Sequence, residues 1–127
     1  MSTRDDQIRV EDVMSTPLET ISADATVREA AKRMRSKEIN GLFVPGSSAG
    51  IVTTTDVVAA VADDVDLSSA TVGDVMTSPV ERVTTSLELS EAAAMMTNYG
   101  IKHLPVIDSH GDYVGMVSST DITTELA

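Results

Sequence analysis

V-E-D-V-M-S-T-P-L-E-T-I at Val10–Ile21 returns, little changed, as V-G-D-V-M-T-S-P-V-E-R-V at Val72–Val83. Working outward, R-E-A-A-K-R-M (Arg28–Met34) returns as S-E-A-A-A-M-M (Ser90–Met96), and G-I-V-T-T-T-D (Gly50–Asp56) as G-M-V-S-S-T-D (Gly115–Asp121). A shift of 62 aligns Val10–Pro45 with Val72–Ile107, and 13 of those 36 pairs are identical. A shift of 65 aligns the two Gly-to-Asp blocks, so the second copy carries three extra residues between them. Tandem copies predict a pseudo-two-fold body, and any cleft between copies is then lined by corresponding residues of both.

The 127 residues divide into a flexible tail at 1–9, a first repeat at 10–61, an acidic linker at 62–71 and a second repeat at 72–127. A repeat of roughly fifty residues is marginal alone, so mutual packing is expected to stabilise the pair. The chain has no cysteine, which removes disulfide and thiolate chemistry. No apolar run approaches the length of a membrane span, and the polar start Met1–Asp6 does not read as a signal peptide. A cytoplasmic protein is expected.

Twenty acidic residues against nine basic ones give a net charge of −11. Such a surface repels nucleic acid and anionic membranes, which excludes both as expected partners. It also repels nucleotides at long range, except where a local cation, a helix N-terminus or salt intervenes. At molar salt the Debye length falls to about 3 Å, so the acid-rich, lysine-poor composition suits a salt-rich cytoplasm.

Each repeat has the same order. A short V-x-D-V-M turn leads to Pro17 or Pro79, then to a brief strand near Thr20–Ser22 or Arg82–Thr84. Val27, Ala30, Ala31 and Met34 fall at i, i+3, i+4 and i+7, as do Leu89, Ala92, Ala93 and Met96, which predicts a helix in each copy. Thr26 and Glu29 have capping-box spacing. Short apolar strands follow, Leu42–Val44 with Gly50–Thr53 and Leu104–Ile107 with Tyr113–Ser118, joined by the turn-forming G-S-S-A and D-S-H-G-D. A last helix starts after Thr53 or Ser118. The expected fold class is α+β, with β-α-β-β-α twice and small mixed sheets covered by helices.

The two long helices differ. Arg28, Lys32 and Arg35 make a basic stripe on the first, read as a solvated face. On the second, Leu89, Ala92, Ala93, Ala94, Met95 and Met96 place apolar groups nearly all round. That pattern predicts a subunit interface, with small alanines permitting close approach and methionines filling gaps; deeper burial within one chain is the alternative.

The doubled G-h-V-[ST]-[ST]-T-D carries the chemistry. Thr53 and Ser118 stand where free amides and the helix dipole favour an anion. Three residues on, Asp56 and Asp121 offer carboxylates able to accept two hydrogen bonds from a vicinal diol. Together these describe a nucleotide site. The same [ST]-x-x-D spacing is also a variant capping box in which the aspartate only closes the helix start.

On D-V-M-[ST]-x-P, E-A-A-x-x-M, I-K-H-L-P-V-I-D and the two G-h-V-[ST]-x-x-D segments, the chain resembles a tandem CBS (cystathionine β-synthase) domain pair, or Bateman module, over about Val10–Leu126. The resemblance implies two units packed through their sheets, often as dimers. Their clefts commonly take AMP, ADP, ATP or S-adenosylmethionine. Carried over by position, Asp56 and Asp121 match the ribose-binding aspartates, and Thr53 and Ser118 the neighbouring hydroxyl. Ile39–Gly41 and Ile101–His103 match segments lining the base or approaching phosphate.

The favoured cleft would join Ser118, Asp121, Lys102 and His103 to Ser22, Ala23, Ile39 and Asn40. The other would join Thr53 and Asp56 to Thr84, Thr85 and Ile101. Lys102 and His103 put a cation and a titratable ring where the first copy has Asn40 and Gly41, and charge-assisted contacts are roughly twice as strong as neutral ones. Phe43, where the second copy has Pro105, and a shortened hairpin weaken the other cleft. His110 reads as a turn residue.

No cysteine nucleophile, H-E-x-x-H motif or glycine-rich phosphate loop is present, so no enzyme, metal or obligatory cofactor is expected. The leading expectation is a stand-alone, homodimeric sensor of an adenosine-type ligand, signalling to an unidentified regulated protein. The alternative is a ligand-free oligomerisation or scaffold module.

Overall fold

Apolar residues spaced at helical and strand periods fold each copy onto its own core. Each copy's opening segment, however, packs into the other copy's body. A computed structural model of the chain describes residues 8–126. Residues 1–7 of the expected 1–9 tail lie outside the described residues. Ile8 and Arg9 are held: the Ile8 carbonyl accepts the Leu89 amide at 2.9 Å, and Arg9 bridges Glu88.

The elements in order are α1 (Val10–Val13), α2 (Val27–Lys37), β1 (Gly41–Val44), β2 (Gly50–Thr53), α3 (Thr54–Ala62), α4 (Val72–Val75), β3 (Val83–Thr84), α5 (Leu89–Tyr99), β4 (His103–Ile107), β5 (Tyr113–Ser118) and α6 (Ser119–Leu126). They form two compact units, one of Glu19–Val80 and one joining the chain before Glu19 to the chain from Glu81 onward. The cut therefore differs from the sequence repeats. Val10–Leu18 belongs by sequence to the first copy and by packing to the second.

In the Glu19–Val80 unit, β1 and β2 pair antiparallel with Leu42 opposite Val52. The strand expected at Thr20–Ser22 reduces to a bridge between Thr20 and Phe43. The chain leaves the sheet there because the Ser22 carbonyl turns back to accept the Ala25 amide at 3.1 Å. Helix α2 begins as its capping residue dictates, Thr26 accepting the Glu29 amide at 3.0 Å, although the reciprocal half of the expected capping box is not made. The linker serves the same helix: the Ala70 and Leu67 carbonyls accept the Val27 and Arg28 amides at 2.9 and 3.0 Å. Val72, brought in by α4, joins Ile21, Ala30, Met34, Leu42, Val44 and Val52 in the core. Burying such a side chain stabilises by roughly 1.5–3 kcal/mol.

The other unit repeats this plan with β3, β4 and β5 in that order, β3 parallel to β4 and β4 antiparallel to β5. Val10 from α1 sits in a core of Val83, Leu89, Ala92, Met96, Leu104, Val106, Val117 and Ile122. Matching hydrogen bonds hold the two imported segments. The Val10 and Glu11 amides reach the Leu87 and Thr85 carbonyls, and the Val72 and Gly73 amides reach those of Ala25 and Ala23. Ser15 bridges Met116 as Thr77 bridges Ile51.

These imported segments explain the duplicated glycine of G-h-V. A Cβ on Gly50 would lie 2.6 Å from Met76 Sδ and 2.9 Å from the Thr77 carbonyl. On Gly115 it would lie 2.8 Å from the Ser15 carbonyl and 2.9 Å from Met14 Sδ.

The apolar ring of α5 is used largely within its own unit. Leu89, Ala92 and Met96 are buried, and Ala93 and Met95 pack against the same core. Ala94 is exposed, as is Tyr99, at 58%. Burial within the chain, the alternative reading, thus accounts for most of the pattern expected of a subunit interface.

Candidate functional site

Both [ST]-x-x-D segments fold on the same plan because the last strand residue is also a helix N-cap. The Thr53 amide donates to Asp56 Oδ2 at 2.8 Å, and the Asp56 amide donates back to Thr53 Oγ1 at 3.4 Å. In the second copy the Ser118 amide donates to Asp121 Oδ2 at 2.9 Å, and the Asp121 amide to Ser118 Oγ at 3.2 Å. Both are reciprocal capping boxes, so each aspartate has a structural role whatever else it does.

The caps also define what is left for a ligand. The first helical amide is already taken, Thr54 by the Asn40 carbonyl at 3.1 Å and Ser119 by the Lys102 carbonyl at 2.9 Å. The third is taken by the cap hydroxyl. The second, of Thr55 and of Thr120, has no protein partner among the described residues. Because the capping bonds land on Oδ2, Oδ1 of each half-buried aspartate remains an acceptor. Each motif thus presents one amide donor beside one carboxylate acceptor, a combination suited to a hydroxylated, anion-bearing ligand.

The copies then diverge. The Thr53 hydroxyl donates to Asp56 Oδ2 at 3.2 Å, which spends its proton. The Ser118 hydroxyl accepts from the Asp121 amide and keeps its own proton to donate. Lys102 is exposed, and its carbonyl ties it to the start of α6. His103 is half-buried and stands opposite Ser118 across β4–β5. The unit therefore brings Lys102, His103, Ser118 and Asp121 together at one strand end. At the matching place of the other unit, Asn40 is exposed and Gly41 stands opposite Thr53.

The remaining expected residues divide between the units. Ser22 is exposed, and its hydroxyl accepts the Asp24 amide at 3.1 Å. Ala23 is half-buried against the core, and its carbonyl receives the Gly73 amide at 2.9 Å. Ile39 packs half-buried on the same core. Thr84 is exposed, its hydroxyl 3.5 Å from that of Ser86. The Thr85 amide bonds the Ile107 carbonyl at 3.0 Å, and Ile101 packs beside α5. Ser22, Ala23, Ile39, Asn40, Thr53 and Asp56 share the Glu19–Val80 unit, and the other candidates share its counterpart.

Sequence reasoning missed Thr55 and Thr120, because an unused amide leaves no side-chain signal. Phe43 is buried in its unit at 3% exposure. His110 is the exposed turn residue expected, its amide bonding Asp108 Oδ1 at 2.9 Å. Among the described residues no cluster of His, Asp or Glu is arranged to hold a metal ion, and no helix is long and apolar enough to cross a membrane.

Two carboxyls are held below the ordinary carboxylate range. The Asp112 amide, aided by the amide and charge of His110, lowers Asp108 against the opposing effect of desolvation. The backbone amide of Thr71, then its side chain, lowers Asp74.

Comparison with known proteins bears directly on this arrangement. The family model for the CBS domain matches residues 10–63 and 72–127. An uncharacterized 17.7 kDa protein of Acidianus ambivalens is 35% identical over 121 residues, covering 93% of this chain and 73% of the relative. Inosine-5'-monophosphate dehydrogenase of Nitrosopumilus maritimus is 35% identical over 107 residues, 82% of this chain but 21% of the enzyme. The chain thus spans about a fifth of that enzyme's length. Among solved structures, the CBS domain pair of protein MJ0100 in complex with 5'-methylthioadenosine and S-adenosyl-L-methionine is 29% identical with a TM-score of 0.83, covering 93% of this chain and 94% of that one.

Proposed function

The chain belongs to the CBS domain family as a tandem pair, and on that premise we propose that it is a regulatory, non-catalytic module that binds an adenosine-containing ligand. The observation that carries this reading is the free Oδ1 acceptor beside a free helix amide at Asp121 and again at Asp56. A ribose diol satisfies the first, and a charged or polar substituent the second. The ligand complex of the MJ0100 pair supports the chemical class, which takes in S-adenosylmethionine and the adenine nucleotides AMP, ADP and ATP.

In the proposed arrangement Ser118, Asp121, Lys102 and His103 carry the stronger site, and Thr53 and Asp56 carry the weaker one. The uncommitted Ser118 proton and the Lys102 charge favour the first for an anionic ligand. Two copies pair, and the ligand acts by favouring one arrangement of the pair over another, an effect limited by its differential affinity for the two. A partner protein reads the change. Catalysis is left to other proteins or domains; the chain covers only a fraction of the dehydrogenase it resembles.

The test is thermal unfolding with S-adenosylmethionine, 5'-methylthioadenosine, AMP, ADP and ATP, at low and at molar salt. A ligand at 100 times its dissociation constant adds about 2.7 kcal/mol. The absence of any shift across the panel at both salts rejects the reading. The ligand-free scaffold reading then takes its place, favoured by the structural role both aspartates already have in their caps.

A further inference from the structure

The chain has no cysteine and seven methionines, so thioethers are its readily oxidised side chains. Met34 and Met96 are shielded in the two cores at 2% and 7% exposure. Met14, Met76, Met95 and Met116 are half-buried, within reach of a small oxidant.

Met14 and Met76 stand apart from the other two. They occupy matching places, each closing the short helix of an imported segment: the Met14 amide donates to the Val10 carbonyl and the Met76 amide to that of Val72, both at 2.9 Å. Each thioether lies close against a glycine of G-h-V. The place a Cβ would take on Gly50 is 2.6 Å from Met76 Sδ, and on Gly115 it is 2.9 Å from Met14 Sδ. The same two places are 2.9 and 2.8 Å from the Thr77 and Ser15 carbonyl oxygens. Each sulfur therefore borders a notch that only a glycine leaves open and that a carbonyl oxygen also lines. That carbonyl already accepts a strand amide, Ile51 onto Thr77 at 3.0 Å and Met116 onto Ser15 at 3.1 Å. A sulfoxide oxygen placed here meets an acceptor rather than a donor, and a half-buried polar oxygen without a donor is destabilising.

Both sulfurs hold down the same kind of segment. The residue after each forms a bridge to a strand, Ser15 with Met116 and Thr77 with Ile51. The residue four before each, Val10 or Val72, fills a core. Between them the Glu11 amide holds the Thr85 carbonyl at 3.1 Å and the Gly73 amide holds that of Ala23 at 2.9 Å. Thr85 and Ala23 are both candidate ligand-lining residues, so a segment lifted at its methionine loosens that lining too.

We propose that Met14 and Met76 are a matched pair of reversible oxidation sites whose sulfoxides release α1 and α4 from their units. The oxidant is hydrogen peroxide or another small hydroperoxide. The thioether sulfur attacks the terminal peroxide oxygen, an S–O bond forms as the O–O bond breaks, and the departing hydroxide takes a proton to become water. Sulfur loses two electrons and the peroxide gains them. A thiol-dependent sulfoxide reductase reverses the step; the oxygen leaves as water while two thiols become a disulfide.

The experiment treats the full chain with hydrogen peroxide, locates sulfoxide by peptide mass, and follows urea unfolding and backbone amide exchange before and after. Met14→Leu with Met76→Leu, and separately Met95→Leu with Met116→Leu, are treated alike, since leucine is close to methionine in volume and has no sulfur to oxidise. The oxidised parent is expected to carry sulfoxide at Met14 and Met76 and to lose at least as much in urea midpoint as Gly50→Ala does. Exchange at Val10, Glu11, Val72 and Gly73 is expected to quicken. The Met95/Met116 variant should show the same losses and the Met14/Met76 variant should escape them. Methionine sulfoxide reductase with dithiothreitol should restore both midpoint and exchange in the parent. If leucine at Met14 and Met76 prevents folding, the mapping, exchange and reductase results on the parent decide. Sulfoxide at Met95 and Met116 with none at Met14 or Met76 overturns the proposal. So does an unchanged midpoint and exchange once Met14 and Met76 are oxidised, or a loss that the reductase does not reverse.

Discussion

Asp121 and Ser118 hold each other: the Ser118 amide donates to Asp121 Oδ2 at 2.9 Å while the Asp121 amide donates to Ser118 Oγ at 3.2 Å. One carboxylate oxygen is committed to the fold and the other is left for a ligand. The structural and binding roles of the aspartate therefore separate by substitution. Losing the reciprocal half of a capping box costs roughly 0.3–1.5 kcal/mol, so Asp121→Ala and Asp56→Ala are each expected to lower stability by that order in urea unfolding without ligand. Unchanged midpoints would mean the caps contribute nothing.

Gly50 and Gly115 are expected to tolerate no side chain. Met76 Sδ and Met14 Sδ lie at the end of flexible chains and can yield, but the Thr77 and Ser15 carbonyls 2.9 and 2.8 Å from the added Cβ cannot. Overpacking of this kind costs roughly 1–3 kcal/mol. Gly50→Ala and Gly115→Ala should each show that loss in urea unfolding. Combining Gly50→Ala with Met76→Ala should recover only part of it, and full recovery would locate the clash at the sulfur alone.

Helix α2 ends on Glu38 at φ 56, where the matching end of α5 uses Gly100 at φ 65. A residue with a Cβ pays roughly 1–2 kcal/mol for the left-handed region and glycine does not. Glu38→Gly is therefore expected to stabilise by several tenths of a kcal/mol or more, net of the entropy glycine adds to the unfolded chain. Gly100→Ala is expected to destabilise. A fall in the urea midpoint on Glu38→Gly would contradict the assignment of strain to this cap.

Acid sensitivity follows from Asp74 and Asp108. Both have folded pKa values below the ordinary 3.8, so the unfolded chain takes up protons first as pH falls. Their contribution is present above about pH 4 and is lost as pH drops through the lower folded values. Asp108→Asn should flatten the decline in stability below pH 4 and leave the slope between pH 5 and 8 unchanged. A change confined to the neutral range would contradict the sign.

The repeat made most of the fold legible. Helical spacing in Val27–Met34 and Leu89–Met96, and strands broken by G-S-S-A and D-S-H-G-D, located the elements and the hairpins. The repeat says which residues correspond, but not which copy's core they enter, so the packing of Val10 with Val83 and of Val72 with Ile21 was not readable. The apolar ring of α5 was ambiguous for the same reason, since composition does not reveal which neighbour covers Ala93 and Met95. At the site, the [ST]-x-x-D spacing is common to a cap and to a nucleotide site, and the structure contains the cap in both copies. What distinguishes them as binding groups, the free Ser118 proton and the unused amides of Thr55 and Thr120, depends on hydrogen bonds already spent.

The measurement that tests the central claim most directly is calorimetric titration of S-adenosylmethionine and AMP into the parent chain, Asp121→Asn and Asp56→Asn. Asparagine keeps a side-chain carbonyl able to accept the Ser118 or Thr53 amide, so the variants keep the capping bond while losing the carboxylate charge. The account predicts that at least one ligand binds the parent, that Asp121→Asn weakens it at least tenfold, and that Asp56→Asn has the smaller effect. Equal binding by the parent and Asp121→Asn, or a larger loss in Asp56→Asn, would contradict it.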